Sequence, residues 1–151
     1  MSKAEDRLRD WVSVVAGPTT MVSWIALGYP TNPNGGGRSM MDDYLVVRGL
    51  DPERQLCRGH SQLVAAITDR QLLIGDVGGV FVVKPKDLLV DAPLADCRVE
   101  WWDQTQVGPD QRHLLITVGS GWVRTSARID ERSNADAFIG ALGPRVLRVD
   151  P

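Results

Sequence analysis

Two cysteines and two histidines are the first residues to weigh for chemistry, because two thiolates and two imidazoles suit a tetrahedral zinc site. Cys57-x-x-His60 supplies one close pair, while Cys97 and His113 come from two separate strand-like segments. Each thiol also has a plain use, since free cysteine packs as a small apolar residue. The chain is therefore read as holding no metal and no cofactor. Cys57 with His60 would also make a nucleophile and its base. Nothing flanking them supplies an evident oxyanion site or an orienting carboxylate. Asp42, Asp43, Asp51, Glu53 and Asp103 show no paired spacing, and adjacent carboxylates on a strand point to opposite faces. Solvated surface charge accounts for them. No catalytic set emerges, and the chain reads as a non-enzyme.

Binding residues are easier to nominate. Arg54, Arg58 and His60 precede the apolar run that begins at Leu63, and Arg70 sits in the next turn. These four form the candidate ligand-binding set, against the plainer reading of exposed charge on turns. There are five tryptophans, a residue enriched in interface hot spots. Trp101 and Trp102 must face opposite ways on one strand. Trp11, Trp24 and Trp102 are the candidate interface residues. The alternative is that the N-terminal segment covers the outward one, from the same chain or from a second subunit. The Gly-rich stretch YPTNPNGGGR, residues 29–38, lacks the G-x-x-x-x-G-K-[ST] spacing of a phosphate loop and reads as a linker.

Composition narrows the function classes. The 151 residues carry a formal net charge of −2, with 43% hydrophobic and 24% charged residues. That balance is ordinary for a globular protein. It removes the basic footprint of a general nucleic-acid binder. No apolar run is long enough to span a bilayer, and the charged opening MSKAEDRLRD lacks a signal-peptide pattern. The expectation is a cytoplasmic protein with reduced thiols.

The elements that must position these residues follow from local pattern. Ser2 to Ala16 predicts an amphipathic helix, with Ser2 capping and Glu5 completing a capping box. Gly17-Pro18 ends it. Thr19 to Leu27 is ambiguous and is read as a second short helix. The domain boundary is placed at the linker, giving an N-terminal helical segment at 1–38 and a β domain at 39–151. Asp43 to Arg48 is read as that domain's first strand, and Arg54 to Arg58 as a second strand or the approach to one. Leu63 to Lys84 organises the rest: two apolar strands about the turn Thr68-Asp69-Arg70-Gln71, then a Gly78-Gly79 turn and a third strand, Val80 to Val83, ended by Pro85. Leu88 to Val90 and Cys97 to Trp102 are further strands. His113 to Val118 and Trp122 to Ile129 form a hairpin. A last helix begins at a Ser133 cap and buries Ala135, Phe138, Ile139 and Leu142 at i, i+3, i+4 and i+7.

LVAAITDRQLLIG, PLADCRVEW and NADAFIGAL together resemble bacterial PH-like (pleckstrin-homology/GRAM-like) domains, over roughly residues 45–145. The resemblance implies an α+β, mainly antiparallel fold, a barrel or sandwich of six to seven strands closed by the C-terminal helix. In PH domains that bind inositol phosphates, basic residues near an early loop hold the phosphates. No Lys-rich cluster stands here to match them, and peripheral lipid contact is kept only as a minor alternative. The leading expectation is a non-catalytic interaction module that binds a protein partner or itself as a homodimer. A small-ligand or lipid-head-group binder using the basic turns is the second.

Overall fold

A single sheet organises the fold. The computed structural model describes residues 2–28, 39–78, 84–105, 110–129 and 134–151. Helix α1 spans Lys3–Ala16, and the Ser2 hydroxyl accepts from the Glu5 amide at 3.1 Å. The Glu5 carboxylate turns along the helix to Arg9, at 3.2 Å. Strand β1 is Met21–Gly28, which corrects the short helix expected at 19–27. The deciding feature is period: Met21, Ser23, Ile25 and Leu27 are buried while Val22 and Ala26 are exposed, the alternation of a half-buried strand.

Helix α2 is Met40–Arg48, where a strand was expected. Its start is fixed by a capping box. The Asp42 amide donates to the Ser39 hydroxyl at 3.1 Å, and the Ser39 amide donates to the Asp42 carboxylate at 2.9 Å. Gly49, at φ +63°, closes it. Two β-branched valines do not outweigh a helix with both ends satisfied. Pro52–Arg54 is a single 3₁₀ turn, followed by one bridge from Gln55 to Trp122, so no strand forms at 54–58.

The central meander is as expected for its first two strands, β2 at Gln62–Thr68 and β3 at Gln71–Gly78. The third strand foreseen at 80–83 lies outside the described residues. Strand β4 runs Lys84–Pro93, with Pro85 inside it opposite Val77 rather than ending a strand. It lies at the sheet edge, where a proline costs no ladder bond. Then come β5 (Cys97–Gln104), β6 (Gln111–Val118) and β7 (Gly121–Arg128). Helix α3 is Ala135–Leu142. Its N-cap is Asn134, with no side-chain cap bond; Ser133 lies outside the described residues. A three-residue strand β8, Val146–Arg148, runs parallel to β5 and was not foreseen.

All eight strands belong to one sheet in the order β4-β3-β2-β1-β7-β6-β5-β8. The sheet is mainly antiparallel and not closed. Among the described residues β1 pairs along its length with β2, and with β7 only at Gly28 opposite Ser126. The N-terminal segment is thus a helix plus an interior strand of the sheet, not a helical extension. Six strand spacings separate β4 from β5, roughly 29 Å if flat. Only residues 94–96 join them, a reach of at most about 14 Å. The sheet must therefore curl.

The curl makes an inner face. Ile25, Leu63, Ala65, Ile67, Leu72, Ile74 and Val90 from one half meet Val99, Leu114, Ile116 and Val123 from the other, over Phe138 and Leu142 of α3. On the outer face α1 covers the first half, packing Leu8, Trp11 and Val12 on Val64, Ala66 and Leu73. Trp11 fits because β3 has no side chain at Gly75; an added Cβ would lie 2.6 Å from the indole. Helix α2 covers the second half, setting Met41 and Tyr44 on Trp102, Leu115 and Trp122.

Candidate functional site

The Cys/His set does not converge. Cys97 is buried in the inner core, where its thiol donates to the Pro93 carbonyl at 3.3 Å. His113 is fully buried on the outer side, stacked on Trp102 at 5.0 Å, with Nε2 2.8 Å from Gln104 Oε1. Burial pushes its pKa down to about 4. No group of three or more metal-ligating residues occurs among the described residues. His60 does find a carboxylate: its Nδ1 lies 3.3 Å from Asp76, a partner that sequence spacing concealed. Burial pushes the Cys57 thiol up to about 11, which keeps it protonated and a poor nucleophile.

The basic turn residues do not gather either. Arg54 and Arg58 are exposed, and Arg58 donates to the Pro52 carbonyl of its own loop. His60 precedes β2 and Arg70 follows it, roughly 20 Å away for a strand of this length. Arg70 reaches only its neighbour Asp69, at 3.8 Å, with both side chains well exposed. The candidate interface tryptophans are engaged within the chain. Trp11 donates from Nε1 to the Lys86 carbonyl at 3.0 Å. Trp24 lies half-buried beside α1. Trp102 is buried beneath α2, not beneath the N-terminal segment, with Tyr44 edge-on at 5.0 Å.

Two features of the α2 side were not anticipated. The first is the outward face of the helix. Met40, Val46 and Val47 are 41%, 68% and 81% exposed. At 100° per residue they share an arc of about 120° with Asp43, and the buried Tyr44 and Met41 follow on the flank beyond Met40. Helix α2 thus shows apolar residues outward as well as beneath, with Asp43 among the outward ones. The second is a cleft of about 260 Å³ between the end of α2, β5, β8 and the 3₁₀ turn Gly143–Arg145. Arg48, Arg98 and Arg145 line it with Glu100. Glu100 is occupied, accepting from the Tyr44 hydroxyl at 2.6 Å and from Arg48 Nε at 2.8 Å. The capping signal S-x-x-D at Ser39 would have revealed α2. Nothing local in the sequence foretells the three-arginine cleft.

Fold and surface together define an α+β protein on an open, curled, mainly antiparallel sheet. No helix is long and apolar enough to cross a membrane among the described residues. Comparison with protein-family models, curated proteins and solved structures finds no match.

Proposed function

We propose that the chain is a non-catalytic PH-like interaction module whose outward α2 face binds a second copy of itself. The observation that carries this reading is the exposure of Met40, Val46 and Val47 on a helix already apolar beneath. A small apolar patch used twice about a two-fold axis is the economical way to cover such a face, and homodimer interfaces are the more apolar class. The PH-like part is supported by the order of elements, consecutive antiparallel strands followed by one amphipathic helix. Strand addition is the poorer route to assembly. The β4 edge carries Lys84, Pro85 and Lys86, and β8 has three residues, both features that discourage edge pairing.

Light scattering on the full chain across a concentration series tests the reading. The expected result is a dimer that Val47→Glu converts to a monomer with an unchanged circular-dichroism spectrum. A native chain that stays monomeric at every concentration overturns self-association. Deleting residues 1–38 would be uninformative, because it removes β1 from inside the sheet.

A further inference from the structure

We propose that the cleft between α2, β5 and β8 is a binding site for a phosphate monoester, independent of whether the chain self-associates. Arg98 and Arg145 are held by the backbone rather than by acids. Arg98 Nη1 donates to the carbonyls of Cys97 at 2.7 Å and Ala95 at 3.3 Å. Arg145 donates from Nε to the Leu94 carbonyl at 2.8 Å and from Nη1 to the Leu142 carbonyl at 3.3 Å. Neither has a carboxylate partner among the described residues. A guanidinium carries five N–H donors, so the Nη2 groups of both remain available. Anchoring on carbonyls fixes each fork beforehand, and little further side-chain freedom is lost when an anion arrives.

The charge in the cleft selects the ligand. Arg48 spends its Nε on Glu100, at 2.8 and 3.1 Å, and thereby neutralises the one acid in the lining. What remains is the double positive charge of Arg98 and Arg145, within a chain of net charge −2. A phosphate monoester carries close to two negative charges at neutral pH and three acceptor oxygens that match guanidinium forks. Leu147, 61% exposed at the rim, offers an apolar surface to the esterified group. The cleft volume is near the ~300 Å³ at which small-ligand pockets begin.

The test is a titration of the full-length chain with phenyl phosphate, followed by amide chemical shifts. Saturable shifts confined to residues 95–100 and 144–148, weakening with added salt and below about pH 6 where the dianion is lost, are expected. Arg98→Gln, at an exposed position, should weaken binding about tenfold or more, the worth of one charge-assisted hydrogen bond. Leu147→Glu should abolish it, while Arg70→Gln leaves it unchanged. Sedimentation with phosphatidylcholine vesicles containing phosphatidic acid distinguishes the sources of the group. Binding of phenyl phosphate without vesicle binding assigns a soluble ligand, and vesicle binding assigns a lipid headgroup. No saturable binding to either probe, or full binding by Arg98→Gln, overturns the proposal.

Discussion

Arg112 is a heavily committed charge. Its side chain is buried, yet it donates from Nε to Asp103 at 2.7 Å, from Nη2 to the same carboxylate at 3.0 Å and from Nη1 to Asp136 at 2.8 Å. It also lies 4.2 Å over the Trp101 ring. The bond to Asp103 pushes its pKa above the already high ordinary value, so the cation persists at every working pH. It ties β5 to β6 and both to the start of α3. Removing it strips a buried pair of its cation, a loss of about 3 kcal/mol. Arg112→Ala should therefore lower the urea midpoint sharply. Asp136→Ala should cost less than about 1 kcal/mol, because Asp136 is 90% exposed and screened. Equal losses in the two variants would contradict this division. None of it was legible in the sequence, where three residues from three elements share no spacing.

Elements were legible wherever one periodicity dominated. β2, β3, the β6–β7 hairpin and α3 announce themselves because their apolar residues repeat at one period between clear turn residues. α2 and β1 exchanged identities for a shared reason. Each joins β-branched residues to a capping residue, so propensity and boundary signals conflict. In α2 the boundary decides: Ser39 and Asp42 satisfy each other's amides, and Gly49 takes the left-handed closing position. In β1 the neighbours decide, since β2 supplies a ladder along its full length. If capping does hold α2, Ser39→Ala should cost about 1 kcal/mol of stability in thermal or urea unfolding. Because α2 lays its own Tyr44 against Trp102 and Trp122, near-ultraviolet circular dichroism should change with it. An unchanged midpoint would mean that packing alone holds the helix.

At the scale of the whole molecule, acid sensitivity centres on His113. The ring is buried and stacked on Trp102 of the neighbouring strand, with Arg124 and Asp103 as its charged neighbours. Its pKa falls from 6.5 to about 4, chiefly through burial. Between those values the unfolded chain binds the proton more readily, so stability rises with pH in that window. The contribution is complete above about pH 6.5 and lost as pH falls towards 4, up to about 3 kcal/mol. Urea unfolding at several pH values should show this slope, and His113→Gln should flatten it. A native slope that is already flat across that window would refute the assignment.

The candidate site was the least legible part at any scale. Arg48, Arg98 and Arg145 stand far apart in sequence on α2, β5 and the last 3₁₀ turn. Only the curl of the sheet and the return of β8 beside β5 bring them to one cleft.

The join between β1 and β7 also bears on how the molecule forms. β2, β3 and β4 follow one another as hairpins in one half, and β5, β6 and β7 do so in the other, while β1 reaches β2 across the segment that carries α2. Hairpins between sequence neighbours close quickly, because little loop entropy is spent on them. The pairing of Gly28 with Ser126 joins residues 98 positions apart and is expected to be the slow, non-local step. During synthesis the first half emerges with the β7-facing edge of β1 unpaired, an edge open to wrong partners until β7 arrives. α3, made last, then lays Phe138 and Leu142 across both halves and acts as the latch of assembly.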